Sequence, residues 1–118
     1  MHKQEIAERY HLYPKDIYKC KIWFHLAGRT PVNAQPIYQI DFYVANQKQE
    51  VTHIDTGFFN LSAEEQLELA SYLKEHAVSM IDPFHILPQL SLSREECYSY
   101  LDQLYHKREY QRIYGTKE

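Results

Sequence analysis

Glycine is scarce in this chain, with three residues in 118 where average usage is roughly 7%. A loop that cradles phosphate groups needs glycines so that its backbone can approach the ligand closely. The scarcity therefore argues against an enzyme organised around a nucleotide. The sequence also contains no His-Glu-x-x-His or Cys-x-x-Cys pattern, so it predicts neither a metal site nor a bound cofactor.

Cysteine is equally rare, since Cys20 and Cys97 are the only two in the sequence. No apolar run approaches the roughly 18 residues that a membrane-spanning helix needs. The opening residues Met-His-Lys-Gln-Glu lack the apolar segment of a signal peptide. We therefore expect a cytoplasmic protein with two free thiols in a reducing compartment and no membrane partner.

Tyrosine, by contrast, is abundant, with eleven residues, and hydrophobic residues make up 44% of the chain. A chain of this length and composition is expected to form one domain over residues 1–118, with a core that needs no disulfides. Because tyrosine joins an apolar ring to a hydroxyl, it suits core edges and contact surfaces equally. The composition thus favours a compact, non-enzymatic protein that binds a partner.

The net charge is −3, but the charges are unevenly distributed. Residues 1–30 hold six Lys and Arg against three acids, residues 31–106 hold three against eleven, and residues 107–118 hold four against two. Two basic ends around an acidic middle would form a two-sided field if the ends meet in space. Ordinary clustering on a solvated surface explains the same pattern.

The hydrophobic pattern changes its period along the chain. Residues 3–12 are predicted as a short helix, because Ile6 and Tyr10 lie four residues apart and Pro14 discourages continuation. Between residues 16 and 58, apolar and polar residues alternate in three stretches, which is typical of half-buried strands. The inward set of these strands includes Tyr18, Cys20, Ile22, Phe24, Leu26, Tyr38, Ile40, Phe42, Val44, Ile54 and Phe58.

Two Ser-x-x-Glu capping boxes, which begin at Ser62 and Ser93, predict helices at about 63–78 and 94–113. The element order is therefore α-β-β-β-α-α. We predict an α+β fold in which a three-stranded antiparallel meander packs its helices on one face. The first long helix is expected to bury Leu67, Ala70, Leu73 and Ala77. An apolar linker is expected to seal the open end of the core through Phe84, Ile86, Leu87, Leu90 and Leu92.

The polar face of the predicted sheet carries the best candidate site. Basic and aromatic residues alternate along the first strand beside ring-bearing residues of the next two, and a second group lies near the end of the last helix. These candidate partner-binding residues are Lys19, Lys21, Trp23, His25, Tyr43, His53, Tyr110, Arg112 and Tyr114. Such a surface is typical of protein interfaces and equally of single-stranded nucleic-acid binders. A helix or loop that covers Trp23 is the structural alternative.

The triplet Asp55-Thr56-Gly57, preceded by Ile54, resembles the catalytic triplet of retroviral-type aspartic proteases. That resemblance implies a hydrolase in which two copies of Asp55 share a proton and activate water. Those proteases are almost wholly β, whereas here a capping box and a long helix follow. We therefore favour a glycine that ends a strand.

The predicted order of the first five elements resembles a double-stranded RNA-binding domain. That family begins its second helix with lysines that grip phosphates, and this chain has Glu64 and Glu65 at that place. Because acids at a helix start repel phosphate, the likeness is limited to the order of elements.

The small, tyrosine-rich, glycine-poor character of the chain is similar to that of accessory proteins encoded by phages and mobile elements. Many of these bind and inhibit one host protein, as anti-defence proteins of the anti-CRISPR kind do. The leading expectation is therefore a non-enzymatic inhibitor that binds a protein partner, such as a nuclease or its nucleoprotein complex. A single-stranded nucleic-acid binder is the main alternative, and a hydrolase built on Asp55 is the weakest.

Overall fold

A computed structural model describes residues 3–55 and 62–114, which form an α+β fold. A four-stranded mixed sheet in the order β3-β2-β1-β4 lies beside the helices. In chain order the elements are α1 (Lys3–Arg9), a 3-10 turn (Pro14–Asp16), β1 (Lys19–Arg29), β2 (Pro36–Ala45), β3 (Val51–Asp55), α2 (Ala63–His76), β4 (Ser79–Ile81), α3 (Ile86–Gln89) and α4 (Arg94–Tyr114).

The first three strands form the predicted antiparallel meander. Cys20 pairs with Val44 and Ile22 with Phe42 across β1 and β2, and Phe42 pairs with Ile54 across β2 and β3. The third strand was expected to continue to residue 58, and this extension lies outside the described residues. Alternation of apolar and polar residues was thus sufficient to identify all three strands.

The prediction of a three-stranded sheet was wrong, because β4 adds a fourth strand. It pairs in parallel with β1, where Cys20 lies opposite Met80. The backbone N–H groups of Val78 and Ser79 both donate to the carbonyl oxygen of Tyr18, at 2.9 and 3.2 Å. A strand of three residues is too short to show a period of two, so the sequence contained no signal for it.

Both predicted capping boxes are confirmed. The backbone N–H of Glu65 donates to Ser62 Oγ at 3.1 Å, and the Ser62 N–H donates to Glu65 Oε1 at 3.0 Å. The same reciprocal pair joins Glu96 to Ser93, at 3.1 and 3.2 Å. These bonds satisfy backbone donors that would otherwise lack partners in the first turn, and so they fix where α2 and α4 begin.

The core lies against the inner face of the sheet, defined here by Cys20, Ile22, Phe24, Ile40, Phe42, Val44 and Ile54, all of which are buried. Side chains of α1, α2, α3 and α4 join these residues in one cluster. The predicted buried stripe of α2 was partly wrong, since Leu69 and Tyr72 are buried and Leu67 is half-buried. The buried stripe of α2 is wider than predicted, because this helix contacts α1 as well as the core.

The linker after β4 packs against the core, as its apolar composition predicted. Ile86 is fully buried, while Phe84, Leu87 and Leu90 pack against the cluster. Leu92 is exposed instead. The carboxylate of Asp82 accepts the N–H groups of Ile86 and Leu87 at 2.8 and 2.9 Å, which organises the first turn of α3.

Tyrosine hydroxyls tie α4 to the rest of the fold. Tyr98 donates to the carbonyl of Pro36 and Tyr100 to that of Phe84, both at 2.7 Å, and Tyr38 donates to Asp102 Oδ1 at 2.6 Å. Burial first, and then this hydrogen bond to a carboxylate, raise the pKa of Tyr38. Several tyrosines therefore lie at core edges. Within the described ranges, no helix is long and apolar enough to cross a bilayer.

Candidate functional site

The outer face of the sheet is the face opposite the core, and it presents every second residue of the strands. It comprises Lys19, Lys21, Trp23 and His25 of β1, Gln39, Asp41 and Tyr43 of β2, Val51, His53 and Asp55 of β3, and Ile81 of β4. Two rows cross it: Trp23 lies opposite Asp41, which lies opposite Asp55. In the next row, Ile81, Lys21, Tyr43 and His53 follow one another. Residues opposite one another in a ladder share a face and lie close enough to contact.

Asp41 is the centre of this face. Its side chain is only 1% exposed, and each carboxylate oxygen meets a different histidine ring. Oδ2 lies 2.7 Å from His25 Nδ1, and Oδ1 lies 2.9 Å from His53 Nε2. Gln39 Nε2 also donates to Oδ1, at 3.2 Å. A buried carboxylate needs such partners, because a buried acceptor without a hydrogen bond is strongly unfavourable.

The carboxylate also sets which nitrogen of each histidine remains available. Since Asp41 accepts at His25 Nδ1 and at His53 Nε2, the nitrogens not bonded to it are His25 Nε2 and His53 Nδ1. In a neutral ring that second nitrogen accepts a hydrogen bond, and in a protonated ring it donates one. The two side chains are 47% and 45% exposed, so the cluster can exchange protons and bonds with a bound molecule.

Tyr43 packs directly on one of these rings. Its centroid lies 4.6 Å from that of His53, with the planes 10° apart. Burial first, and then the nearby Asp41 carboxylate, raise the pKa of Tyr43. Its hydroxyl therefore stays protonated and neutral at physiological pH, and the ring holds His53 in a fixed orientation.

Trp23 is half-buried, because the linker before α3 partly covers it. Its ring centroid lies 4.7 Å from that of Phe84 in an edge-to-face arrangement. Lys21 Nζ lies 4.5 Å from the Trp23 centroid, and the Arg108 guanidinium of α4 lies 5.8 Å from it. The Trp23 side chain is thus neither fully buried in the core nor fully exposed. Its ring is held by Lys21 on the outer face and by Phe84 at the edge of β1.

The structure brings together five of the nine predicted site residues: Lys21, Trp23, His25, Tyr43 and His53. Lys19 lies on the same face, exposed, at the start of β1. The other three, Tyr110, Arg112 and Tyr114, lie in α4, and their side chains are outside the described part of the structure. Asp41 was not predicted as a site residue, because its role depends on a strand register that the sequence does not specify.

Of the protease-like triplet, only Asp55 is among the described residues. It is exposed at the end of β3 and lies opposite Asp41. Thr56 and Gly57 lie outside the described residues. Among the residues that are described, no group of three or more His, Cys, Asp and Glu side chains is arranged to hold a metal ion.

The two cysteines are free, as predicted. Cys20 is fully buried on the inner face, and burial, followed by the Asp82 carboxylate, raises its pKa to about 12. Burial also raises the pKa of Cys97. Because the thiolate is the nucleophile, these shifts work against thiol chemistry at either position.

Comparisons with models of protein families, with curated proteins and with solved structures give no match for this chain.

Proposed function

We propose that this chain is a non-enzymatic binding protein that uses the outer face of its sheet to recognise a protein partner. The observation that carries the proposal is the bonded cluster around Asp41. It holds His25 and His53 at 2.7 and 2.9 Å, and Tyr43 stacks on the second ring.

Such an arrangement suits binding because it is ordered before a partner arrives. Immobilising a flexible side chain at an interface costs about 0.5–1.5 kcal/mol, and aromatic rings already held by neighbours avoid part of this cost. Trp23 is held in the same way by Phe84 and Lys21. Tryptophan and tyrosine are also the residues that most often contribute strongly to binding free energy.

Apolar side chains at both sides of the sheet complete the surface. Ile81 is 44% exposed on β4, and Val51 is 63% exposed on β3. Ile81 ends the row of Lys21, Tyr43 and His53, and Val51 lies in the adjacent row, opposite Ala45. A face with polar, aromatic and aliphatic groups together is the usual composition of a non-obligate protein interface.

A protein partner is favoured over single-stranded nucleic acid for two reasons. Single-strand binders present open ring faces for stacking on bases, whereas Trp23 contacts Phe84 and Lys21, and Tyr43 already stacks on His53. On the same face, Asp41 and the exposed Asp55 offset Lys19 and Lys21 when the histidines are neutral, so the face lacks the positively charged groove that follows a nucleic-acid backbone. Nucleic-acid binding is therefore the second candidate, supported by Lys19, Lys21 and the basic C-terminal segment.

Within this proposal, a nuclease or nucleoprotein complex of a host is the partner class that we favour, and the cytoplasm is its expected location. The support is the excess of acids in residues 31–106, of which Glu64 on α2 and Glu95 on α4 are exposed. Acidic surfaces are complementary to the basic channels of such proteins. The outer face would then supply the aromatic anchors of the interface.

The test is capture from a lysate by the immobilised protein, with and without nuclease treatment. The variant Trp23→Ala with Lys21→Glu should lose a captured protein that the wild type retains after nuclease treatment, since truncating a central aromatic anchor costs about 2 kcal/mol or more of binding. Lys15→Glu with Val32→Ala, at two exposed positions away from the outer face, is the matched control and should retain it.

A direct calorimetric titration with the captured protein should then give the affinities of the three proteins. Circular dichroism establishes that each variant is folded. Equal capture by all three would contradict the proposal. Capture that disappears on nuclease treatment and weakens log-linearly with salt would favour the nucleic-acid alternative.

A further inference from the structure

Asp41 is unusual in this molecule, because it is the one charged side chain that is fully buried among the described residues. The titratable groups bonded to it are two imidazoles, and each forms an ion pair with it only when protonated. The charge of the cluster is therefore set by protons. It is negative when both rings are neutral and positive when both are protonated.

Because the surrounding charges nearly cancel, the protonation state of the two rings sets the net charge of the outer face. On β1 the cluster faces Lys21, with Lys19 further along the strand; on β2 it faces the neutral Tyr43 and Gln39. On β3 it faces Asp55, directly opposite Asp41. The two lysines thus offset the two aspartates when both imidazoles are neutral. Protonation of both rings leaves the face with a clear positive excess, which Arg108 of α4 reinforces beside Trp23.

Each protonated ring would also have a donor to offer. His25 Nδ1 and His53 Nε2 are bonded to Asp41, so the second N–H of each imidazolium is free of that carboxylate and can donate to another. A hydrogen bond between an imidazolium and a carboxylate is charge-assisted and stronger than a neutral one.

Resting on the proposed function, we propose that the outer face binds a carboxylate-rich segment of a protein partner and that His25 and His53 take up protons when it binds. A carboxylate of the partner replaces water at the outward N–H of each ring, and Lys21 adds a third cationic contact. By linkage, affinity for such a segment rises as the pH falls through the range where histidine gains a proton.

The experiment uses a hexa-aspartate peptide, which stays ionised in this pH range, and an uncharged hexa-asparagine peptide as its partner control. Binding to the full chain is followed by Trp23 fluorescence at constant ionic strength. We expect affinity for hexa-aspartate to be about tenfold or more higher at about pH 5.5 than at about pH 7.5. Calorimetry in buffers of different ionisation enthalpy should show net proton uptake.

The decisive variant replaces the two rings without removing the donors to Asp41. Asparagine places its amide nitrogen near the position of Nδ1 and glutamine near that of Nε2, so His25→Asn with His53→Gln preserves both bonds but cannot titrate. It should lose most of the pH dependence. The matched control is His106→Gln, since His106 Nε2 also lies near a carboxylate, 3.3 Å from Asp102 Oδ1 on α4. It should keep the pH dependence.

A second measurement needs no variant. Nitrogen-15 signals of the His25 and His53 rings, recorded at one fixed pH near 7, should move toward the protonated form when hexa-aspartate is added. Rings that do not change would overturn the proposal. So would equal pH dependence in the double variant and the wild type, equal binding of the two peptides, or tighter binding of an oligothymidylate than of hexa-aspartate.

Two failures are distinguishable. If capture of the partner requires Trp23 and Lys21 but shows no proton uptake, the docking face stands and only the acidic chemistry is wrong. If calorimetric titration shows that both the captured protein and hexa-aspartate bind the Trp23→Ala, Lys21→Glu variant as well as the wild type, the outer face is not the binding surface and the proposed function fails with it.

Discussion

The two faces of the sheet are built from alternate residues of the same strands, yet they are ordered by different interactions. On the inner face, Ile22, Phe24 and Phe42 are fully buried by packing against other apolar groups. On the outer face, Asp41 is equally buried, but three directional bonds hold it there. Burial therefore has two origins in this fold.

This difference determines what each face contributes. Apolar burial is the dominant favourable term in folding, whereas a typical satisfied hydrogen bond contributes only about 0.5–1.5 kcal/mol net. We expect the inner face to determine stability and the outer face to determine recognition. Substitutions at matched positions on the two faces test this expectation.

The largest effect is expected from Phe42→Ala on the inner face. Removal of a fully buried phenylalanine typically lowers the free energy of unfolding by about 3–5 kcal/mol, because transfer free energy is lost and a cavity remains. Its neighbour in sequence, Tyr43, points outward and is half-buried, so Tyr43→Ala should cost roughly 1–2 kcal/mol. Urea denaturation of both variants measures the difference. Equal losses would show that the outer ring is as much a part of the core as the inner one.

A smaller effect is expected from Asp41→Asn. The amide has one acceptor oxygen instead of two and adds donors, so His25 and His53 cannot both keep their bonds as N–H donors. Leaving a buried polar contact unsatisfied costs about 1–3 kcal/mol, and the free energy of unfolding should fall by that amount. A variant as stable as the wild type would mean that the cluster adds no order to the outer face.

The contrast between the faces also explains what could be predicted from sequence. Alternation is a local signal, so it identified the three long strands and placed Cys20 inward and His53 outward. The capping boxes are local as well, and they located the starts of α2 and α4. These signals depend on residues within one element and need no knowledge of its neighbours.

The bonds of Asp41 depend instead on register. Asp41 lies diagonally between His25 and His53, and a shift of one residue in either ladder would separate them. The strand β4 and the contact between Trp23 and Phe84 likewise depend on where a distant segment packs. The width of the buried stripe of α2 was underestimated for the same reason, since α1 contacts one side of this helix and the burial of Leu69 depends on tertiary packing.

The smallest effect is expected from Asp55→Asn, the same substitution as at Asp41 but at the residue opposite it in the ladder. Asp55 is exposed, and surface substitutions usually change the free energy of unfolding by less than about 0.5 kcal/mol. The change also removes a negative charge that lies across from another, and like charges opposite one another in a sheet are destabilising, so the variant should be no less stable than the wild type.

Partner capture should persist, because the anchors Trp23 and Tyr43 are unchanged. The comparison with Asp41→Asn thus separates burial from charge at two opposed aspartates. If Asp55→Asn abolishes the function of the protein in a variant that urea denaturation shows to be fully stable, Asp55 is a catalytic residue. The hydrolase interpretation of Asp55-Thr56-Gly57 then replaces that of a binding protein.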